Sequence, residues 1–423
     1  FACSMAVPDP IIIGPDILVE EESLPDYDPR IYYPVALGEV LNTVYHVIGK
    51  LGYGSSGTVW LAKYIGEPDA YTYPFVAIKV LTVDASRNED VRMAWDITDA
   101  NLSSPDRAYV HNLYDSFELA GSHGKHVCLA YWPHRESVDL FQRRFREDTS
   151  GMEFFTLPVF PAFYRLFLQG LRYLHHHCHI IHTNLNLSNI LFILENPKVF
   201  LLEYEEYASE NSAVKKILPD REIYVSDSDF GPVLHRSMPA PVISDFGKAV
   251  RGDQGLCDLF IQRDPYRAPE VSFGIASSYS ADIWNLGALV FDCLAVESPI
   301  MGLDSKGKFN IIVQIAQIIR LLGPPPAELI NRINPMCREI YFDSNGEFLY
   351  ANYYPPGNEG TFEAVFSTIP DSQYKQMFIG FLKRMLRWLP EERASIDELL
   401  DDPWMSVANS PRVSEGSSDI DMF

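Results

Sequence analysis

His182-Thr183-Asn184-Leu185-Asn186-Leu187-Ser188-Asn189 is the stretch on which the reading of the fold turns. Before it, Phe163, Phe167, Leu171 and Leu174 recur at helical spacing. After it, Ile190-Leu191-Phe192-Ile193 is an apolar strand. His182 reads as a satisfied core histidine. The tract just upstream, His175-His176-His177-Cys178-His179, has ligands for zinc, but its spacing matches no standard zinc site.

The whole chain bounds what this loop can serve. Its 423 residues exceed one average domain, and 47% hydrophobic with 22% charged residues is ordinary globular composition. Fifty-seven acids against 34 bases give a net charge of -23, which disfavours nucleic acid as a direct ligand and suits basic protein partners. The six cysteines are scattered, with no C-x-x-C pair, and read as reduced intracellular thiols. No run is long enough to span a membrane, and the proline-interrupted start carries no secretory signal. The chain opens on Phe1, as a fragment would.

Toward the N-terminus, residues 1–30 are rich in proline and acid and read as an extended arm. From Val44 the apolar residues alternate, as in two strands joined by Gly52-Tyr53-Gly54-Ser55-Ser56-Gly57. Glycines at this spacing let backbone approach phosphate oxygens. A dinucleotide-binding turn would open a helix next. Here Thr58-Val59-Trp60-Leu61-Ala62 is β-branched and aromatic, so the turn closes a hairpin. A third strand, Phe75 to Val80, carries Lys79, and another runs from His126 to Tyr131. Toward the C-terminus, residues 195–240 form an insert rich in Glu, Ser and Pro. Residues 281–296 are almost wholly apolar and read as a buried helix. Leu322-Gly323-Pro324 stops another helix. The Ser-rich acidic tail after Trp404 reads as disordered.

In this order the motifs resemble those of protein kinases: the glycine hairpin, Val76-Ala77-Ile78-Lys79, the 182–189 loop, Asp245-Phe246-Gly247 and Ala268-Pro269-Glu270. Leu24-Pro25-Asp26-Tyr27, Tyr32-Tyr33-Pro34-Val35, Ile181-His182-Thr183 and Asp264-Pro265-Tyr266-Arg267 narrow the resemblance to the SR-protein kinases, especially their fungal branch. It spans about residues 20–405 and implies an α+β, two-lobed fold: an arm over 1–30, a β-rich N-lobe over 31–133, a helical C-lobe over 134–405 with the 195–240 insert, and a disordered tail over 406–423.

The resemblance also implies roles. Leu51, Gly52, Gly54, Gly57, Val59, Ala77, Lys79 and Tyr131 would surround ATP, and Asn189 and Asp245 would hold Mg2+. Lys79 would pair with an acid on the next helix; Asp90 fits that register best, with Glu89 the runner-up. Arg393 would pair with Glu270. The implied activity is phosphorylation of serine in Arg/Ser-rich splicing factors by a monomeric cytoplasmic and nuclear protein.

Four departures limit it. Asn184 stands at the catalytic aspartate position and Asn186 at a phosphate-contacting lysine. Residues 301–310, where the family carries a substrate-gripping acidic cluster, hold one acid and two lysines. Thr183 replaces the arginine that grips a phosphorylated activation loop, and Lys248 to Arg267 contains no Ser or Thr, so Ser/Thr phosphorylation is not expected to switch this segment. The expectation is therefore a weakened kinase, or a nucleotide-binding scaffold without transfer.

Overall fold

The computed structural model describes residues 9–67, 74–86, 88–148, 154–194, 197–227, 239–257 and 260–407. The tail expected to be disordered lies almost wholly outside these residues, as does the stretch 228–238 of the insert. The chain groups into two compact units. The first comprises Phe1–Met152, Tyr173–His182 and Asn186–Asp253; the second comprises Glu153–Arg172, Thr183–Leu185 and Gln254–Phe423.

The first unit is rich in strands. It begins with β1 (Ile11–Ile13), then β2 (Val40–Leu41), β3 (Tyr45–Gly54), β4 (Gly57–Tyr64) and β5 (Phe75–Leu81). Helix α1 (Asn88–Asp99), β6 (Leu113–Gly121), β7 (Gly124–Tyr131) and α2 (Val138–Asp148) follow. Six of these strands make one antiparallel sheet in the order β2-β3-β4-β5-β7-β6. The two-residue period sorts the side chains between its faces. Trp60, Ala62, Val76, Ile78, Cys128 and Ala130 pack into one core cluster. Their sequence neighbours Leu61 and Phe75 join a second. Leu81, Leu113, Leu129 and Tyr131 pack with Ala94 of α1.

Short strand pairs complete the unit. β8 (Ile180–Ile181) and β9 (Ile190–Phe192) flank the asparagine-rich loop. The insert contributes helix α3 (Pro197–Glu210), β10 (Val214–Ile217) and β11 (Glu222–Tyr224). β12 (Pro241–Ile243) pairs with β9, and β13 (Val250–Arg251) with β8. The arm is not a free extension: β1 runs parallel to β10, which pairs antiparallel to β11. Lys216 of β10 reaches Glu22 of the arm at 3.0 Å, both side chains nearly inaccessible to solvent.

The second unit is helical. Ser280–Leu294 is buried almost throughout, as its apolar run predicts. Ile311–Leu322 is capped by the Asn310 carboxamide, which accepts from Ile312 N at 2.9 Å, and ends at Gly323, whose φ of +84° suits only glycine. Arg393 holds Glu270 through two bonds of 2.7 and 2.6 Å, with both side chains fully buried. Such a pair contributes mainly by fixing geometry, because desolvation offsets much of its attraction. The lone acid of the 301–310 loop, Asp304, accepts from the amides of Lys306 and Lys308 and thereby shapes its own turn.

Candidate nucleotide site

The glycine hairpin turns between Gly54 and Gly57, which face each other across β3 and β4. Its glycines differ in purpose. Gly57 has φ +150°, and a Cβ there would collide with Val80 O, so the fold itself requires glycine. At Gly52 and Gly54 a Cβ would meet nothing within 4 Å. Side chains are missing there beside open space, where a ligand could approach the backbone.

Lys79 sits on β5 between Val59 of β4 and Leu129 of β7. Its ammonium donates to Asp245 Oδ1 at 2.7 Å. Asp245 is positioned by a chain of backbone bonds. β9 leads out of Asn189, β12 pairs with β9, and Ser244 N donates back to Asn189 O at 2.9 Å. Asp245 itself takes a left-handed φ of +63°. The Lys79 ammonium holds its carboxyl below the usual aspartate range, overcoming the opposing effect of burial. His182 is fully buried, with Nε2 3.0 Å from Ser244 O and its ring against Phe246, as a core histidine should be.

Leu51, Gly52, Gly54, Gly57, Val59, Ala77, Lys79, Tyr131, Asn189 and Asp245 all line one cavity of about 630 Å3. Its lining combines apolar Leu51, Val59, Ala77 and Leu191 with Lys79, Asp245 and Asn189. That size and that mixture suit a ligand with an apolar base and an anionic tail. The donor set also fits a hard divalent cation, which takes carboxylate and amide oxygens. ATP and Mg2+ thus match the residues present.

Other expected site residues are placed differently. Among the described residues, the acid beside Lys79 is Asp245. Glu89 is exposed on α1, and the Asp90 side chain lies outside the described residues. Asn186 serves locally: its Oδ1 accepts from Ser188 N at 3.0 Å and caps the turn Leu187–Asn189. Asn184 is buried and belongs to the second unit, where the preceding Thr183, at φ +65°, donates its N–H to Asp282 Oδ1 at 2.9 Å.

The cavity has features that no sequence motif signalled. His111 stacks on Tyr131 with centroids 4.2 Å apart, and its Nε2 is 3.2 Å from Trp132 O. A carbonyl only accepts, so Nε2 carries the proton. Burial pushes the His111 pKa down to about 4, and burial also lowers that of His134 beside it. Two neutral imidazoles therefore line the cavity with Tyr131 at neutral pH. At the hairpin tip, Tyr32 OH donates to Gly54 O at 3.0 Å.

Comparison with known proteins gives the family. Residues 233–405 match the protein kinase domain family. A serine/threonine protein kinase of Aspergillus fumigatus is 30% identical over 400 residues, covering 93% of this chain and 92% of the relative. The serine/threonine-protein kinase SRPK of Physarum polycephalum is 28% identical over 410 residues, 92% of each chain. SRSF protein kinase 3 of Mus musculus is 34% identical over 176 residues, 41% of this chain and 29% of the relative.

Proposed function

This chain belongs to the protein kinase family, among serine/threonine kinases of the SR-protein kinase type, and on that premise we propose that it binds Mg·ATP in the cavity of its first unit and transfers phosphate to serine of basic, Arg/Ser-rich proteins at a rate held down by Asn184. The observation that carries this reading is the Lys79–Asp245 ion pair inside a cavity rimmed by glycines that face open space.

Lys79 and Asp245 are each other's counter-ion. A phosphate chain offers Lys79 a replacement anion, and a divalent cation offers Asp245 and Asn189 a replacement charge. Neither buried ion is then left alone on binding. Bound magnesium would neutralise and bridge the phosphate oxygens. Asn184 can accept a hydrogen bond from a substrate hydroxyl, yet a carboxamide cannot take its proton. General-base assistance is typically worth ~10²–10⁴-fold. Phosphoryl transfer rests chiefly on positioning and charge stabilisation, so a residual rate survives that loss. Asn186 supplies no positive charge to the reacting phosphate.

The net charge of -23 supports a basic protein substrate. Asp304, committed to its own turn, supports weaker Arg/Ser docking than an acidic cluster would give. Monomeric behaviour and cytoplasmic and nuclear residence belong to the same proposal and follow from the family resemblance. One observation favours a second reading, a nucleotide-binding scaffold that transfers nothing: Asn186 is occupied by capping Ser188 N.

Titration with a fluorescent ATP analogue and Mg2+ tests the shared premise. Saturable binding should weaken in Lys79→Ala and lose its Mg2+ dependence in Asp245→Ala. No saturable binding by the unmutated protein would remove both readings.

A further inference from the structure

Glu20-Glu21-Glu22 in the arm looks like a solvated acidic run, yet the structure uses all three carboxylates internally. Glu20 accepts from Ser226 Oγ of the insert at 2.6 Å and from Ser226 N at 3.1 Å. Glu22 pairs with Lys216. Glu21 reaches Lys50, whose Nζ lies 2.5 Å from Glu21 Oε2, 3.6 Å from Glu20 Oε2 and 3.0 Å from Tyr224 O. The Lys50 side chain is 1% exposed.

Lys50 is on β3 itself, directly before Leu51 and Gly52 of the cavity rim. Its carbonyl accepts from Asp227 N of the insert at 2.8 Å. The β3–β4 ladder is irregular between Lys50 and Gly52. Cross-strand pairing is therefore interrupted where the hairpin meets the cavity, and two glycines in open space add backbone freedom. The arm and insert hold the strand there from outside the ladder, with Tyr32 adding a further bond at Gly54 O.

We propose that Glu21 and Lys50, with Glu20 behind them, are positioning residues for the nucleotide cavity: the arm–insert layer braces the glycine hairpin in its binding geometry through the buried Lys50 ammonium. The proposal rests on the reading that this cavity binds Mg·ATP. The brace acts through Leu51 and Gly52 and does not touch the ligand. Its consequence is preorganisation: binding no longer has to order the hairpin, so the bound nucleotide is held longer.

The Lys216–Glu22 pair provides an internal control. It joins the same arm to the same insert through an equally buried charge, without touching the hairpin. The experiment measures affinity and dissociation rate of N-methylanthraniloyl-ATP with Mg2+ for the full chain, Glu21→Gln, Lys50→Met, Lys50→Arg and Glu22→Gln, with thermal unfolding of each. Glu21→Gln and Lys50→Met should bind about three- to tenfold more weakly, mostly through faster dissociation. Lys50→Arg should recover much of the loss. Glu22→Gln should lower the unfolding temperature and leave affinity unchanged. Hydrogen exchange at the 51–57 amides, read without nucleotide, should accelerate in Glu21→Gln and not in Glu22→Gln. If Glu21→Gln and Glu22→Gln lose stability alike and bind like the unmutated protein, the brace is architecture only and the proposal is overturned. If the unmutated chain does not bind the analogue, the nucleotide reading itself fails, a result distinguishable at the first titration.

Discussion

Breaking the Lys79–Asp245 pair should reveal how much of this cavity is held by charge before any ligand arrives. The perturbation is a double-mutant cycle of Lys79→Met, Asp245→Asn and the pair together. The ions approach to 2.7 Å, with side chains 20% and 37% exposed. At an effective dielectric of about 20, contact Coulomb attraction is roughly 4 kcal/mol. Solvent reaching Asp245, and the cost of desolvating both ions, reduce the net coupling to about 1–2 kcal/mol. Lys79→Met alone should cost about that much at pH 7, because a partly buried carboxylate loses its cation. The double variant should recover most of it. The pH dependence has a definite sign. Lys79 depresses the folded-state pKa of Asp245, so its contribution is complete above the ordinary aspartate range and is lost as pH falls through the lower folded value. Urea unfolding at fixed ionic strength across that range is the assay. Zero coupling at neutral pH, or coupling that grows on acidification, would mean that charge does not hold Lys79 and Asp245 together.

The remaining predictions concern other parts of the molecule. Arg393→Ala strands Glu270 in a fully buried site and should cost about 3–5 kcal/mol by denaturant unfolding; a cost under about 1 kcal/mol contradicts a solvent-free pair. Tyr266 OH donates to Asp292 Oδ2 at 2.5 Å, so Tyr266→Phe should cost about 1 kcal/mol, and phosphate at this position would face a carboxylate. Tyrosine phosphorylation there should therefore lower the unfolding temperature, and a phosphorylated form of equal or higher stability speaks against it. Burial lowers His111 from 6.5 to about 4. The unfolded chain then binds the extra proton between those values, and stability is lost as pH falls from about 6.5 toward 4, by up to about 3 kcal/mol. His111→Gln should flatten that slope, leaving the part due to His134; an unchanged slope contradicts the assignment.

The hairpin, Lys79, Asp245 and the Glu270–Arg393 pair were legible because each rests on a local pattern: strand alternation, glycine spacing, or a short motif in a fixed order. What the sequence hid is what depends on distant neighbours. A run of glutamates reads alike whether solvated or paired, so nothing in Glu20-Glu21-Glu22 announced Lys50 and Lys216. The Asp245 carboxylate that pairs with Lys79 stands 166 residues away, brought close by the β9–β12 pairing, while the Asp90 side chain expected there lies outside the described residues. His111 carries no motif, and only its place against Tyr131 makes it part of the cavity. Asn186 was recognised as a departure, while its capping bond to Ser188 was a local signal within reach of sequence reasoning, since Asn two residues before a free amide commonly turns back on the chain.

On the reading proposed above, the binding parts are intact and the transfer step is impaired at Asn184. Phosphate transfer from radiolabelled ATP to an Arg/Ser-repeat peptide tests it directly, comparing the unmutated chain, Asn184→Asp, Asn184→Asp/Asn186→Lys and an Asp245→Ala control. The unmutated chain should show a low rate above the Asp245→Ala background. Asn184→Asp should raise that rate by at least about tenfold, toward the ~10²–10⁴-fold typical of general-base catalysis. An unmutated rate equal to that of Asn184→Asp would contradict the claim that Asn184 limits transfer.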